Sequence, residues 1–152
     1  MKTLIIYVSV SHANTKRVAK AMAEVLDAPV LEPEEVDIDT LSEYDLIGFG
    51  SGIYWGRFYK RLRNFIKELP TFQDKKAYLF GTCGHKEVPS KPMEKLLLKK
   101  GFTIVGKFSC LGFNTFFSSR ILGRLNKGRP NTEDFERARE FAKGLKDKYG
   151  GE

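Results

Sequence analysis

The chain has 152 residues, which favours one domain over 1–152 that can bury about 68–70% of its unfolded surface without a disulfide or metal staple. It is 41% hydrophobic and 30% charged, as soluble globular proteins are, and no run nears the ~18 apolar residues of a membrane span. The net charge of +7, from 26 Lys/Arg against 19 Asp/Glu, is uneven: Lys95, Lys99, Lys100, Lys107, Arg120, Arg124, Lys127 and Arg129 fall in residues 95–132, which hold no acid.

Thr3–Val8 is apolar and β-branched, a buried first strand and not a signal peptide. Val18, Ala21, Met22 and Val25 space as a helix over Asn14–Leu26. Pro29–Leu31 reads as a weak strand, Glu32–Ser42 as acidic and irregular, and Asp45–Gly50 as a third strand. Phe58, Leu62, Phe65, Ile66 and Leu69 form a second helical stripe, closed by Pro70. Lys76–Gly81 is a strand, and Ser90–Lys100 a helix with Ser90 as N-cap and Gly101 just past its end. Phe102–Cys110 is the fifth strand. Thr132–Tyr149 is a long helix, with Thr132 as its cap and Phe135, Ala138, Phe141, Ala142 and Leu145 on its apolar face.

Apolar strands alternating with helices imply an α/β domain, a doubly wound five-stranded parallel sheet covered on both faces. Ligands of such sheets sit beyond the C-terminal strand ends, so the segments 9–14, 51–57, 82–90 and 111–131 carry the functional question. The first reads Ser9-Val10-Ser11-His12-Ala13-Asn14-Thr15 and runs straight into a helix. Hydroxyls and small residues at a helix N-terminus suit an anion, or they simply cap the helix. It is neither the GxxxxGK[ST] nor the GxGxxG loop. A positive φ at Ala13 would cost about 1 kcal/mol.

The Ser-x-Ser-His-x-Asn-Thr run resembles the FMN-phosphate loop of the flavodoxin-like family. The likeness continues through Gly50–Phe58, Phe80–Gly84 and Lys127–Asn131, in the family's order. It implies a flavodoxin-like fold with strand order 2-1-3-4-5, the order given for flavodoxin itself, and FMN as cofactor. Phosphate would lie on Ser9, Ser11, His12, Ala13, Asn14 and Thr15. The flavin ring would lie between Ser51, Gly52, Ile53, Tyr54, Trp55 and Gly56 on one side and Thr82, Cys83, Gly84 and His85 on the other. Tyr54 and Trp55, the one tryptophan, flanked by Gly52 and Gly56, suit stacking on a flat ring; the alternative is core packing. Either glycine can let a peptide carbonyl turn relative to the ring. The third loop has no acid before Glu87, which predicts a less depressed hydroquinone potential than in acid-lined relatives.

The resemblance implies an electron carrier whose FMN cycles between oxidised, semiquinone and hydroquinone states. The alternative is an FMN-dependent NAD(P)H:quinone or other small-substrate oxidoreductase. A nucleic-acid module would rest on net charge alone and lacks a recognised signature. A phospho-receiver would need acids where Ser9 and Ser51 stand. Cys83 and Cys110 end neighbouring strands, as buried thiols or as a redox pair; they make no disulfide framework or zinc site, and a reducing cytoplasm is the expected compartment. Two distant histidines give no metal signal. Residues 111–131 are long for a loop and too apolar for disorder, with a short helix expected over Ser118–Asn126. There Arg120, Arg124, Lys127 and Arg129 would face an acidic redox protein or an anionic small acceptor. Neither nucleic acid nor membrane is expected as a partner, and the chain would be a monomer or homodimer.

Overall fold

A computed structural model describes residues 1–10, 13–83, 90–112 and 128–151, with Cys83 through its backbone alone. The elements in chain order are β1 (Thr3–Val8), α1 (Asn14–Leu26), β2 (Val30–Leu31), β3 (Leu46–Tyr54), β4 (Arg57–Phe58), α2 (Lys60–Glu68), β5 (Lys75–Cys83), α3 (Lys91–Lys99), β6 (Phe102–Leu111) and α4 (Thr132–Tyr149). The parallel sheet runs β2-β1-β3-β5-β6, and β4 pairs antiparallel with the end of β3. With the short β4 set aside, this is the expected order 2-1-3-4-5.

Side chains alternate across a strand, and the sheet uses both faces. Leu4, Ile6 and Val8 of β1 join Ile47, Phe49, Leu79 and Phe102 beneath α2 and α3, which supply Leu62, Ile66, Met93 and Leu97. Ile5 and Tyr7 point the other way, into a second core with Tyr78, Phe80 and Phe108 beneath α1 and α4. Burying both faces is why these strands read as continuous apolar runs.

Beyond shifts of a residue or two at the strand ends, three features differ from the sequence reading. The acidic stretch folds into two short 3₁₀ turns, Pro33–Glu35 and Ile38–Glu43. Glu32 and Glu35 form a reciprocal cap on the first, and the Asp37 carboxylate accepts from Asp39 N–H on the second. The cap of α4 is Asn131, not Thr132. Its side chain accepts from Asp134 N–H at 3.0 Å, while the Asp134 carboxylate accepts from Asn131 N–H at 2.8 Å. This capping box satisfies two otherwise orphaned helix donors. Third, β3 runs four residues past Gly50, because it turns back on itself through β4. Gly101 closes α3 as expected, at φ 83°. No helix among the described residues is long and apolar enough to cross a membrane.

Candidate functional site

The site lies at the C-terminal edge of the sheet, where β1 and β3 stand side by side and their connections leave in different directions. A crevice opens at such a point. The chain after β1 enters α1 through Ala13, whose φ of 52° and ψ of 28° are left-handed. Alanine has no side-chain oxygen to cap the helix. The Ser9 hydroxyl instead accepts from Lys16 N–H at 3.4 Å. The first turn of α1 carries no acid. The first N–H groups of a helix have no intrahelical acceptor, and the helix dipole is positive at that end, so an anion is stabilised there.

Two buried polar side chains link this turn to β5. Thr15 Oγ1 and Thr82 Oγ1 are 3.0 Å apart. One hydroxyl donates to the other, so the acceptor keeps its own hydrogen for a further partner. Asn14 is buried beside them, and its side-chain oxygen accepts from Arg17 at 2.8 Å. Gly112, just past β6, packs so closely on Asn14 that a Cβ there would approach its amide nitrogen to 2.9 Å. The start of α1 therefore meets the ends of β5 and β6 here.

The 51–57 segment is a β-hairpin, not an open loop. Tyr54 pairs with Arg57 across the two-residue turn Trp55-Gly56, at φ 53° and 72°. Positive φ at both turn residues fits the twist of a hairpin. Glycine adopts it freely, whereas a bulky residue at positive φ stores strain. Trp55 holds this conformation with its side chain 76% exposed. Tyr54 does something different: its ring packs edge-on against Tyr59, centroids 5.3 Å apart. Ser51 is fully buried and works inside the hairpin, donating to Gly52 O at 2.7 Å and accepting from Tyr59 N–H at 3.0 Å. Gly52 and Ile53 lie within β3, and Ile53 packs on the core.

Thr82 and Cys83 lie within the sheet, registered against Cys110 and Leu111. Cys110 is thus the register partner of Thr82, not of Cys83, and it is buried. Ser11, His12, Gly84, His85 and Glu87 lie outside the described residues, as do Arg120, Arg124, Lys127 and the helix expected over Ser118–Asn126. Arg129 is described and is committed: its guanidinium grips Asp134 through two hydrogen bonds of 2.5 and 2.6 Å. Burial alone would push the Asp134 carboxyl up, but Arg129, Asn131 N–H and Arg137 outweigh it and hold it below the usual carboxylate range. This clamp lines a cleft of about 410 Å³ with Ser109, Cys110, Leu111, Glu133 and Arg137.

The sequence reading missed Val10. It is 56% exposed two residues past the end of β1. The signal was an apolar residue within an otherwise polar loop. It also missed Gly112, whose role is visible only as a distance across strands.

A three-layer α/β/α arrangement whose parallel sheet runs β2-β1-β3-β5-β6, with a helix N-terminus and an exposed aromatic hairpin past its strand ends, defines a doubly wound α/β protein. The family model for the flavodoxin domain matches residues 4–112. Over 148 residues the chain is 40% identical to an uncharacterized protein of Methanocaldococcus jannaschii, covering 95% of this chain and 98% of that one. Flavodoxin 2 from Bacillus cereus superposes with a TM-score of 0.71 at 24% identity, over 98% of this chain and 100% of that one. A flavodoxin from the domain Archaea gives 0.67 at 18%, over 97% and 98%. The chain belongs to the flavodoxin domain family.

Proposed function

We propose that this chain binds FMN at the crevice between the α1 N-terminus and the Trp55 hairpin and serves as a single-domain electron carrier. The observation that carries the reading is Trp55: a large aromatic, 76% exposed and held at φ 53° in the hairpin that extends β3 past the end of its neighbour β1. Strain of that kind persists where the surrounding structure and a ligand use it.

The residues present fit the cofactor. Ser9, Ser11, His12, Ala13, Asn14 and Thr15 would hold the phosphate through N–H groups and hydroxyls, with the Thr15–Thr82 pair supplying a buried donor. Val10 and Trp55 would cover the ring, and Gly56 would let the hairpin backbone approach it. Tyr54 braces the hairpin from behind, and Ser51 locks its base. Residues 82–85 would border the ring's polar edge. Bound FMN supplies one- or two-electron redox chemistry; the chain supplies binding, shielding and electrostatics.

Purified protein titrated with FMN should bind one equivalent and turn yellow. Absence of binding would remove the reading. NAD(P)H oxidation by the loaded protein, at rates of ordinary enzymes, would replace the carrier with an oxidoreductase. Failure of NAD(P)H to reduce it directly, with ready reduction by a one-electron donor, supports the carrier.

A further inference from the structure

Among the described residues, the two edges of the sheet carry different charge. Residues 21–56 contain nine acids and no Lys or Arg. They include β2, one edge strand, and the exposed Glu34, Glu35, Asp37, Asp39, Glu43 and Asp45 that follow it. The opposite edge is β6, flanked by α3. Here a groove of about 600 Å³ lies between the outer face of α3 and Lys107 of β6. Lys91, Lys95 and Leu98 stand at i, i+4 and i+7 on α3 and so share one helix face. The core face is carried by Met93 and Leu97. Leu98 is 60% exposed in the middle of this basic stripe.

Glu94, the one acid among the described residues that line the groove, is occupied from both sides. It pairs with Lys107 at 3.5 Å and accepts from the Ser90 hydroxyl at 2.9 Å. Lys91 and Lys95 have no acidic partner among the described residues.

We propose that the α3–β6 groove is a docking site for an acidic protein segment, with Leu98 as its apolar anchor and Lys91 and Lys95 as its charge contacts. The groove begins at Ser90, at the ligand end of the sheet, and runs down the basic edge. On the β2 edge Arg61 pairs with Glu32 and Glu34, and Lys2 with Glu43, which leaves Glu35, Asp37 and Asp39 without a cationic partner among the described residues; these repel the same partner, so the charge separation orients the approach as well as accelerating it. A polypeptide fits better than a nucleic acid: the described lining offers lysines and a leucine, with no aromatic ring for bases to stack on and no arginine among the described residues. One exposed leucine is too little apolar surface for a lipid bilayer. The proposal stands independently of FMN.

The probe is a synthetic twelve-residue peptide, rich in glutamate around a central phenylalanine, titrated into the ¹⁵N-labelled full chain with and without FMN. Amide shifts should cluster on residues 91–98 and 107, and binding should weaken with salt. Lys91→Glu with Lys95→Glu should lower affinity about tenfold or more. Leu98→Ser, which leaves the charge unchanged, should lower it about threefold or more. Lys143→Glu, an exposed lysine on α4, changes the net charge as much as one groove lysine does and should cost less than about twofold. The proposal is overturned if Lys143→Glu weakens binding as much as Lys95→Glu does, if Leu98→Ser has no effect, or if the shifts map elsewhere. It is also overturned if salt-sensitive self-association, acidic edge to basic edge, fills the groove in place of the peptide. Loss of FMN binding with peptide binding intact would separate failure of the cofactor reading from failure of this one.

Discussion

The two ends of the sheet solve one backbone problem with different residues. At the N-terminal strand ends, left-handed φ values fall at Asp27, Asp74 and Gly101, at 49°, 51° and 83°. Glycine and aspartate tolerate that region well. Asp74 also accepts from the Thr103 hydroxyl at 2.8 Å. At the C-terminal ends the same conformation falls on Ala13 and Trp55 as well as on Gly56 and Gly128. An alanine and a tryptophan are poor choices for stability. The first end is built to hold the sheet; the second retains strain where a ligand would sit.

The largest effect should come from the stable end. Gly101→Ala would place a Cβ 1.8 Å from Phe72 O, at a φ that already disfavours it. Urea denaturation should show a loss of about 3 kcal/mol, with FMN affinity of the folded fraction unchanged. Next is Asp134→Asn, at the ligand end but in its clamped part, which should cost about 2 kcal/mol. The wild-type carboxyl is held lower in the folded chain than in the unfolded one. Its contribution is therefore complete above the usual carboxylate range near about pH 4 and fades as pH falls through the folded value. Stability curves for wild type and Asp134→Asn should converge in acid.

The hairpin should show opposite signs for stability and binding. Trp55→Gly should stabilise the apoprotein by about 1 kcal/mol while weakening FMN about tenfold. Loss of both would make Trp55 a packing residue and erase the contrast between the ends. Ala13→Gly should stabilise by about 0.5–1 kcal/mol. Asp27→Gly, the same change at the other end, should shift stability by less than about 0.5 kcal/mol.

The fold was readable because its strands are buried on both faces and its helices amphipathic: Thr3–Val8 and the 14–26 helix stand as read from the chain. The strand ends were less so. The resemblance put Ser51 beside the flavin ring; the structure adds partners for its hydroxyl, Tyr59 N–H and Gly52 O, fixed by a hairpin that no local period announces. Asn131 lost its place to Thr132 because both are capping types, and the reciprocal bond with Asp134 decides between them. The Thr15–Thr82 contact joins residues 67 apart in the chain, a distance that no local motif spans. The basic stretch was legible as composition only. The sheet order sets its described lysines on α3 and β6 opposite the acidic edge.

The most direct test is a titration of the purified apoprotein with FMN while following tryptophan emission, since Trp55 is the one tryptophan in the chain. Binding at the crevice predicts quenching that saturates at one FMN per chain, parallel to the loss of free FMN fluorescence. Saturable FMN binding that leaves Trp55 emission unchanged would contradict the placement of the ring, and no binding at all would contradict the account as a whole.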